Sequence, residues 1–471
     1  MMTRTVFLLA GAAALTSLTL LAESPVDAVR EQTPATAQQP QQPPAQSQQQ
    51  SEVRMVINGP PGVPPKVAVL PFIALSTDAE SVAAAKTIGD VLSDDLAYER
   101  EFYMIGKDVL ATIPKAASIE QIPIDRYKEL NANALVVGTV RKTGSGVTVQ
   151  VRVIDVQTGQ SAFGKEYSGS VANPRAYAHT AADEIFKQWI GLNGVARTKL
   201  AFSSDRDGER MKGPTGNRDI KEVYIADYDG ANQRRVTATH TLNITPVWAP
   251  DGKSIAYTSY RRGYQDIFVS FIYEGRMETP ANGGWNKQNY LPVYSPDGTK
   301  IAFTTTRDGN PEIYVMNRDG SAAHRLTDNP AIDVTPTWSP SGNQIAWTSD
   351  RTGNPQVYVM NADGTGQRRL TTTGYCDRPT WSPDPFNEIA YAMRSGGGFD
   401  IMVYSFATGE ARRITDGIGS SESPAFSPNG RHIAFASTRL GKQQIFTIAR
   451  DGNDLRQITK EGNNGYPNWS R

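Results

Sequence analysis

A short pattern, consisting of a proline, any residue and an aromatic residue, recurs six times in the C-terminal half of this 471-residue chain. Its successive aromatic residues are 46, 44, 43, 45 and 43 positions apart. A fixed period of this length is typical of propellers and other repeat arrays, so it constrains the fold more than any other feature. The six copies are Pro246/Trp248, Pro292/Tyr294, Pro336/Trp338, Pro379/Trp381, Pro424/Phe426 and Pro467/Trp469.

Each repeat carries signals for four short strands. The Pro-x-aromatic strand is followed by a Pro-Asp-Gly turn, an Ile-Ala-aromatic strand, an Arg-x-Gly turn, an Ile-Tyr-Val strand, an Asp-Gly turn and an Arg-Leu-Thr segment. Four strands at this period predict a propeller blade, and counting third strands predicts six blades. The third strands are Val223–Ile225, Ile267–Val269, Ile313–Val315, Val357–Val359, Ile401–Val403 and Ile445–Thr447.

The phase of the repeat predicts how the ring closes. The first repeat begins at Lys199, already in its second strand, and the last repeat ends with a first strand, Tyr466–Ser470. We expect the C-terminal strand to complete the blade that Lys199 begins, which would remove the open edges of the ring. The sequence therefore predicts an all-β six-bladed propeller, residues 193–471, closed by the C-terminal strand.

An α/β N-terminal domain is expected at residues 64–192. Its first strand is followed by Pro71-Phe72-Ile73-Ala74 and by no glycine-rich phosphate loop, so the domain shows no nucleotide site. Asp78 is a candidate N-cap, and Val82, Ala85, Ile88, Leu92 and Leu96 form an apolar stripe on the following helix. The predicted elements are strands Lys66–Phe72, Ala134–Val140 and Val147–Val153 and helices Asp78–Arg100 and Arg175–Trp189.

Three N-terminal segments precede this domain. Residues 1–22 have Arg4 and a short apolar run, as an export signal peptide does; an uncleaved membrane anchor is the alternative, which the short run disfavours. Residues 23–51 are rich in Gln and Pro and predict a disordered tether. Residues 52–63 begin with apolar and polar residues in alternation. On pattern alone this favours an edge strand of the α/β domain, and a detachable strand that pairs with a partner's sheet is the alternative.

Composition limits the function classes. Lys plus Arg and Asp plus Glu are both 48, so no basic field favours nucleic acid. One cysteine, Cys376, excludes a disulfide framework and a cysteine-rich zinc site, and four histidines make a histidine-built metal site improbable. The chain contains neither a Gly-x-Ser-x-Gly nor a His-Glu-x-x-His motif. We therefore expect no catalytic residues, no metal and no cofactor.

Several recurring residues have a structural interpretation. The repeat tryptophans are expected to be wedges between blades, and Asp227–Gly230 is expected to be a turn and not a calcium loop. The arginines of the Ser-x-Arg-x-Gly motif are expected to form structural ion pairs, and His179 to be an interdomain residue with its hydrogen bonds satisfied. Residues ahead of each Pro-x-aromatic are expected to gather at one channel mouth, where variable loops favour binding. The motif arginines are Arg261, Arg307, Arg351 and Arg439, and the mouth residues are Asn243, Asn289, Asp333, Asp377, Glu422 and Asn464.

Four stretches go beyond a generic propeller, and with them the chain from Glu52 to Ser470 resembles the TolB family, the periplasmic propellers of the Tol–Pal system. The helix motif, its spacing to the first blade and the N-terminal strand are together specific. The stretches are Glu52–Gly59 with Val67–Phe72; Leu135–Gly138; His179–Phe186 with Arg197–Ala201; and Asp227–Gln233.

This resemblance implies a non-enzymatic periplasmic adaptor that supports outer-membrane integrity and envelope constriction during cell division. It would associate with membranes only through its partners, the peptidoglycan-associated lipoprotein Pal at the channel mouth and the inner-membrane protein TolA at the N-terminal strand. Gln288 stands where the family usually has a histidine, and the tether places the strand inside the chain. The implied Pal-binding residues are Gln288, Asn289, Tyr290, Leu291, Val334 and Thr335, and the implied TolA-binding residues are Glu52, Val53, Arg54, Met55, Val56 and Ile57.

The alternative class is an exported propeller hydrolase or lyase that acts on peptides or sugars, since similar blades occur in prolyl-peptidase-like enzymes. Such an enzyme needs a catalytic domain. Residues 66–192 contain no serine elbow, so the sequence favours the adaptor.

Overall fold

A computed structural model describes residues 63–211, 219–281, 283–284 and 287–471. The expected signal peptide, the tether and residues 52–62 of the N-terminal strand lie outside the described residues. Among the described helices, none is both long and apolar enough to cross a membrane.

The α/β domain is built on one mixed sheet of six strands. Their order is β3-β1-β4-β5-β6, and β2 also pairs with β4. The pairings of β1 with β3 and β4, and of β2 with β4, are parallel, whereas β4, β5 and β6 form an antiparallel meander. The strands are β1 (Lys66–Val69), β2 (Ile73–Ala74), β3 (Tyr103–Met104), β4 (Ala134–Thr143), β5 (Gly146–Asp155) and β6 (Ser161–Gly169). The helices are α1 (Ala79–Tyr98), α2 (Lys107–Leu110), α3 (Ile124–Glu129) and α4 (Pro174–Ile190), and Ile119–Gln121 forms a 3-10 turn.

Helix α1 begins where the sequence predicts it. The side chain of Asp78 accepts a hydrogen bond of 3.0 Å from the backbone N–H of Ser81, which satisfies one of the free donors of the first turn. The predicted stripe is buried at Ala85, Ile88, Leu92 and Leu96. The prediction is wrong for Val82, whose side chain is 50% exposed; in the first turn of the helix the buried residue is Ser81.

The propeller has six four-stranded blades, each with an inner, a second, a third and an outer strand. The outer strands contain only two or three residues. The blades are blade 1 (Asn243–Trp248, Ser254–Ser259, Asp266–Phe271, Met277–Glu278), blade 2 (Asn289–Tyr294, Lys300–Thr305, Glu312–Asn317, His324–Arg325), blade 3 (Asp333–Trp338, Gln344–Ser349, Gln356–Asn361, Arg368–Arg369), blade 4 (Cys376–Trp381, Glu388–Ser395, Gly398–Ser405, Ala411–Arg413), blade 5 (Ser421–Phe426, His432–Leu440, Lys442–Ala449, Arg456–Gln457) and blade 6 (Asn464–Trp469, Lys199–Ser204, Glu222–Asp227, Arg234–Arg235).

Blade 6 combines the two ends of the propeller sequence. Its inner strand is the last strand of the chain and pairs antiparallel with its second strand, Asn464 opposite Ser204 and Trp469 opposite Leu200. The prediction of a six-bladed ring closed by the C-terminal strand is confirmed.

In five of the six blades, the threonine of the Arg-Leu-Thr segment fastens the short outer strand to the third strand. In blade 2 the Thr327 hydroxyl accepts a hydrogen bond of 2.8 Å from the N–H of Ile313 and donates one of 2.6 Å to the carboxylate of Glu312. Four other blades repeat this arrangement, with a carboxylate or a glutamine amide oxygen as the acceptor, so the motif compensates for the few ladder hydrogen bonds of a two- or three-residue strand. Its threonines are Thr237, Thr371, Thr415 and Thr459.

The repeat tryptophans are buried, as the sequence predicts. Trp338 of blade 3 belongs to one hydrophobic cluster with Ile313 of blade 2, so its ring fills the space between neighbouring blades. Flat aromatic side chains of this size supply most of the apolar area that holds adjacent blades together.

The α/β domain meets the propeller at the end that carries the first and third turns of the blades. There Arg100 forms an ion pair of 2.9 Å with Asp451, and the ring of His432 stacks on Tyr98 with 3.9 Å between ring centroids. A single hydrophobic cluster includes Val67 and Ile88 of the α/β domain and Trp469 of the propeller. The other end of the propeller, with the second turns and the blade-to-blade crossovers, faces away from this interface.

Candidate functional site

A narrow channel runs between the six inner strands, and one unusual backbone feature shapes it. In every blade the residue before the inner-strand proline has a left-handed backbone, with φ between 52° and 56°. Each inner strand also changes register with its second strand at this point. A left-handed conformation is unfavourable for residues other than glycine, particularly for β-branched threonine. These six residues line a cavity of about 130 Å³; they are Thr245, Leu291, Thr335, Arg378, Ser423 and Tyr466.

The expectation that six named residues crowd the channel mouth is wrong for four of them. The side chains of Asn243, Asn289, Asp333 and Asn464 are fully buried. Each begins its inner strand, three residues before the proline, and each bonds within or between blades; Asn464, for example, donates a hydrogen bond of 2.9 Å to Gln444. Asp377 and Glu422 lie one residue later in the repeat, two residues before their prolines, and are partly exposed.

Arginine side chains hold the buried ends of several inner strands. Arg351 donates to both carboxylate oxygens of Asp333, at 3.1 and 3.0 Å. Its guanidinium also lies over the rings of Trp347 and Tyr358, with 5.5 and 4.9 Å to their centroids. The predicted structural ion pair is therefore present in blade 3, together with cation–π contacts that the sequence interpretation missed.

The other motif arginines vary this arrangement. Arg439 pairs with Asp416 at 2.9 Å, whereas Arg307 donates to the amide oxygen of Asn289 at 3.4 Å, which is a hydrogen bond and no ion pair. In blade 1 the ion pair is made by Arg262 with Asp266, and Arg261 contacts the sulfur of Met277. The prediction of an ion pair by Arg261 is therefore wrong.

The residues proposed for partner binding come from two neighbouring blades. Tyr290 and Leu291 follow Asn289 on the inner strand of blade 2, and Val334 and Thr335 follow Asp333 on that of blade 3. Tyr290, Leu291 and Val334 are partly exposed. The structure thus brings the two groups together at the crossover end of the channel.

Hydrogen bonds fix the backbone of this group. Gln288 and Thr306 are joined by two bonds, of 3.1 and 3.2 Å, and the N–H of Leu291 donates to the hydroxyl of Thr258 at 3.0 Å. The Thr335 hydroxyl donates to that of Thr348 at 2.8 Å. Burial, and then the neighbouring Tyr260, raise the pKa of Tyr290, so its hydroxyl is neutral at physiological pH.

Arg378 is the charged residue among the channel residues that the sequence interpretation did not single out. It precedes Pro379 in blade 4, and its guanidinium lies 4.8 Å from the ring centroid of Tyr466, two blades further around the ring. Burial opposes its charge, but Tyr466, Asp377 and Glu422 favour it, and the pKa of Arg378 is raised. An alignment on the inner-strand prolines would have revealed it, because the six channel positions read Thr, Leu, Thr, Arg, Ser and Tyr.

Apolar side chains of blades 4 and 5 lie at the same end of the propeller. Ile418, in the crossover from blade 4 to blade 5, and Leu440, at the second turn of blade 5, are 56% and 62% exposed. The rings of Tyr375 and Phe399 meet edge to face at 5.5 Å in blade 4. Exposed apolar groups beside polar ones are typical of a protein-binding surface.

The opposite mouth opens on a cavity of about 890 Å³ beside helix α4 and the C-terminus. The repeat aromatics Trp248, Trp338 and Trp381 contribute to its wall, as do Glu184 of α4 and Arg471. Because the α/β domain lies at this end, a large partner would reach the channel from the crossover end.

The described residues contain no group of three or more His, Cys, Asp or Glu side chains that could hold a metal ion. Cys376 is buried, its thiol contacts the carbonyl oxygen of Thr373 at 3.3 Å, and burial raises its pKa to about 11. It is therefore a protonated thiol at neutral pH, which is a poor nucleophile.

His179 lies at the domain interface, as predicted, but the prediction that its hydrogen bonds are satisfied is wrong: its Nε2 is buried without a hydrogen-bond partner among the described residues, 3.8 Å from Oδ2 of Asp227. Its Nδ1 is 2.8 Å from a carboxylate oxygen of Asp95, and the other oxygen of Asp95 accepts a hydrogen bond of 2.7 Å from Tyr228. Helices α1 and α4 and blade 6 each supply one of these three buried residues, so the network joins the two domains.

Fold and channel define this chain as a two-domain propeller protein, with six blades on an α/β domain and a channel mouth directed away from that domain. Two family models match it: the TolB beta propeller domain over residues 186–471 and the TolB amino-terminal domain over residues 53–162. The chain belongs to the TolB family.

Individual relatives agree. The chain is 32% identical over 222 residues to the Tol-Pal system protein TolB of Desulfosudis oleivorans, covering 47% of this chain and 48% of that protein. It is 32% identical over 229 residues to the protein of the same name from Alkalilimnicola ehrlichii, covering 48% and 50%. The alignments thus span about half the length of these relatives. The crystal structure of TolB from Acinetobacter baumannii matches 88% of this chain and 98% of that one, at 26% identity and a TM-score of 0.72.

Proposed function

We propose that this protein is a non-enzymatic periplasmic adaptor of the Tol–Pal system, which supports outer-membrane integrity and envelope constriction during division. The relatives are named as Tol-Pal system proteins, and their name motivates the choice of system. On this proposal residues 1–22 direct export, residues 23–51 are a tether, and the protein associates with membranes only through its partners.

A Pal-like peptidoglycan-associated lipoprotein would bind at the crossover end of the channel. The observation that carries this proposal is the position of Tyr290, Leu291, Val334 and Thr335 around a mouth that the α/β domain leaves uncovered. Gln288 and Asn289 would support this surface; Asn289 is buried and fixes the start of its strand by a 3.1 Å bond to Asp266.

Calorimetry with the soluble domain of the organism's own Pal-like lipoprotein tests this site. Tyr290→Ala and Thr335→Ala should each weaken binding at least tenfold, as loss of an interface anchor does. Tyr273→Ala is the matched control, because Tyr273 is 70% exposed in a turn at the opposite end of blade 1. Equal affinities for the wild type and all three variants would contradict the proposed site.

A TolA-like inner-membrane protein would bind the N-terminal strand through Glu52, Val53, Arg54, Met55, Val56 and Ile57. Apolar Val53, Met55 and Ile57 alternate with polar Arg54 and Asn58, interrupted by Val56, which suits the addition of a strand to a partner's sheet. Deleting residues 52–59 should abolish TolA binding and leave Pal binding intact. Retained TolA binding after the deletion would refute this assignment.

A further inference from the structure

Arg378 differs in charge from the other residues that line the narrow part of the channel. Among the described residues that line the 130 Å³ cavity it is the one with a formal charge; its neighbours there are prolines, threonines, a serine, an asparagine, a tyrosine and aliphatic side chains. A guanidinium in such surroundings loses much of its hydration, which is unfavourable unless a partner of opposite charge replaces the water.

The protein's own carboxylates only partly provide that partner. Nε of Arg378 lies 3.8 Å from Oδ2 of Asp377, which is too long for a hydrogen bond. The other oxygen of Asp377 accepts from the hydroxyl of Thr348 at 3.1 Å and from the N–H of Arg378 itself at 2.7 Å. Glu422 accepts a hydrogen bond of 2.7 Å from the Ser420 hydroxyl. One oxygen of each acid is therefore engaged with another donor, and neither acid forms a hydrogen bond of ordinary length with the guanidinium.

The ring of Tyr466 supports the guanidinium from one side. Stacking of this kind uses the face of the planar group and leaves its N–H donors, which lie in the plane, available for a carboxylate. The cavity equals the volume of about four water molecules, so it can accept one side chain but not a strand or a helix.

We propose that Arg378 receives the carboxylate of an aspartate or glutamate side chain from the protein that docks on the crossover end of the channel. This inference rests on the proposed function and names a specificity-determining contact within it. Asp377 and Glu422 would repel any anion near Arg378; a small free anion has nothing to offset this repulsion, whereas a carboxylate on a docked partner is held there by the other contacts of the interface.

The test measures affinity for the soluble Pal-like domain with the full mature chain. Arg378→Met removes the charge but keeps most of the stem and should weaken binding about 10- to 100-fold, as expected for a charged hydrogen bond. Arg378→Lys keeps the positive charge but not the two parallel N–H donors of the guanidinium, and it should lose less affinity than Arg378→Met. Arg369→Met is the control, since Arg369 is an exposed arginine on the outer strand of blade 3. The loss of affinity counts only if the thermal unfolding of the variant is unchanged. If Arg378→Met does not fold, Arg378→Lys serves as the second variant.

Partner variants identify the carboxylate. Each surface Asp or Glu of the lipoprotein domain is changed to its amide and measured against both wild type and Arg378→Met. The amide substitution of one particular carboxylate should weaken binding to the wild type but should not weaken binding to Arg378→Met any further. This is expected because that carboxylate and the guanidinium of Arg378 form a single interaction.

The outcomes separate the two proposals. If the wild type does not bind, the proposed function fails. If Tyr290→Ala weakens binding while Arg378→Met binds within twofold of the wild type, the adaptor function stands and the role of Arg378 is overturned. Coupling to the partner's C-terminal carboxylate alone would overturn the assignment to a side chain.

Discussion

The indole Nε1 of Trp469 donates a hydrogen bond of 2.6 Å to the hydroxyl of Thr198, which lies 271 residues earlier in the chain. Next to this pair, Lys199 and Ser470 exchange two more hydrogen bonds of 2.8 Å each. These bonds join the first and last strands of the propeller inside blade 6. These three polar contacts and the buried ring of Trp469 therefore reinforce the strand ladder that closes the ring.

Replacing Trp469 by alanine should lower the free energy of unfolding by about 3–5 kcal/mol, because a large buried side chain is lost from the closure. Ending the chain after Asn464 should cause a larger loss, since the second strand of blade 6 then becomes an open edge. Thermal or denaturant unfolding measures both. Tyr273→Ala, at an exposed tyrosine, should change little, and unchanged stability of the truncated chain would show that the closure is dispensable.

A second prediction concerns the arginine that holds the start of the inner strand in blade 3. Arg351→Met should destabilise the protein by about 3–5 kcal/mol, because it leaves the fully buried carboxylate of Asp333 without its cation. Denaturant unfolding measures the loss. Arg369→Met, at an exposed arginine of the same blade, should stay within about 0.5 kcal/mol of the wild type. Equal midpoints for the two variants would mean that Asp333 needs no counter-charge.

The third prediction tests the polar network between the domains. Tyr228→Phe removes one hydroxyl, and the buried carboxylate of Asp95 loses a hydrogen bond of 2.7 Å. The expected cost is about 1–3 kcal/mol in denaturant unfolding, the usual penalty for an unsatisfied buried polar group. Tyr103→Phe, at an exposed tyrosine, is the matched control. If both variants match the wild type, the hydroxyl of Tyr228 does not stabilise the interface.

The fourth prediction is a pH dependence. Burial, and then the charge of Arg431, lower the pKa of His432 from 6.5 to about 3. The unfolded chain binds a proton at this residue below pH 6.5, but the folded chain does not until about pH 3. Stability should therefore decrease as the pH falls from 6.5 to 3, by up to roughly 1.4 kcal/mol per pH unit from this residue.

His432→Gln should reduce that slope, which unfolding curves collected between pH 3 and 7 would reveal. Titrating carboxylates contribute to the same range, so the relevant quantity is the difference from the wild type. His324→Gln, at an exposed histidine, should keep the wild-type slope. Parallel pH profiles for the wild type and His432→Gln would show that His432 titrates normally.

Much of the fold was predictable because its signals are local and repeated. Turns of Asp-Gly sequence, short apolar strands and a regular period fix the blades, and Asp78 marks the beginning of α1 through a contact with Ser81, three residues away. Strand β6 carried no such signal: it is a largely exposed edge strand with few large apolar residues, and the sequence analysis did not predict it.

The sequence predicted that the residues ahead of each Pro-x-aromatic gather at one end of the channel, but it did not predict which of them face the channel. Asn243 and Asp333 are buried, since a change of register in each inner strand decides which side chain enters the channel. Such a change depends on the pairing with the second strand, which a pattern of residue types does not record.

The sequence by itself determined the number of blades, the strand that closes the ring and the division into an α/β domain and a propeller, because each follows from spacing along the chain. The tertiary structure alone decided that Arg378 lies over Tyr466 inside the channel, and that Tyr98, Asp95 and His179 form part of an interface with the propeller. These contacts join residues 84 or more positions apart, and the closure of the ring and the docking of the two domains bring them together.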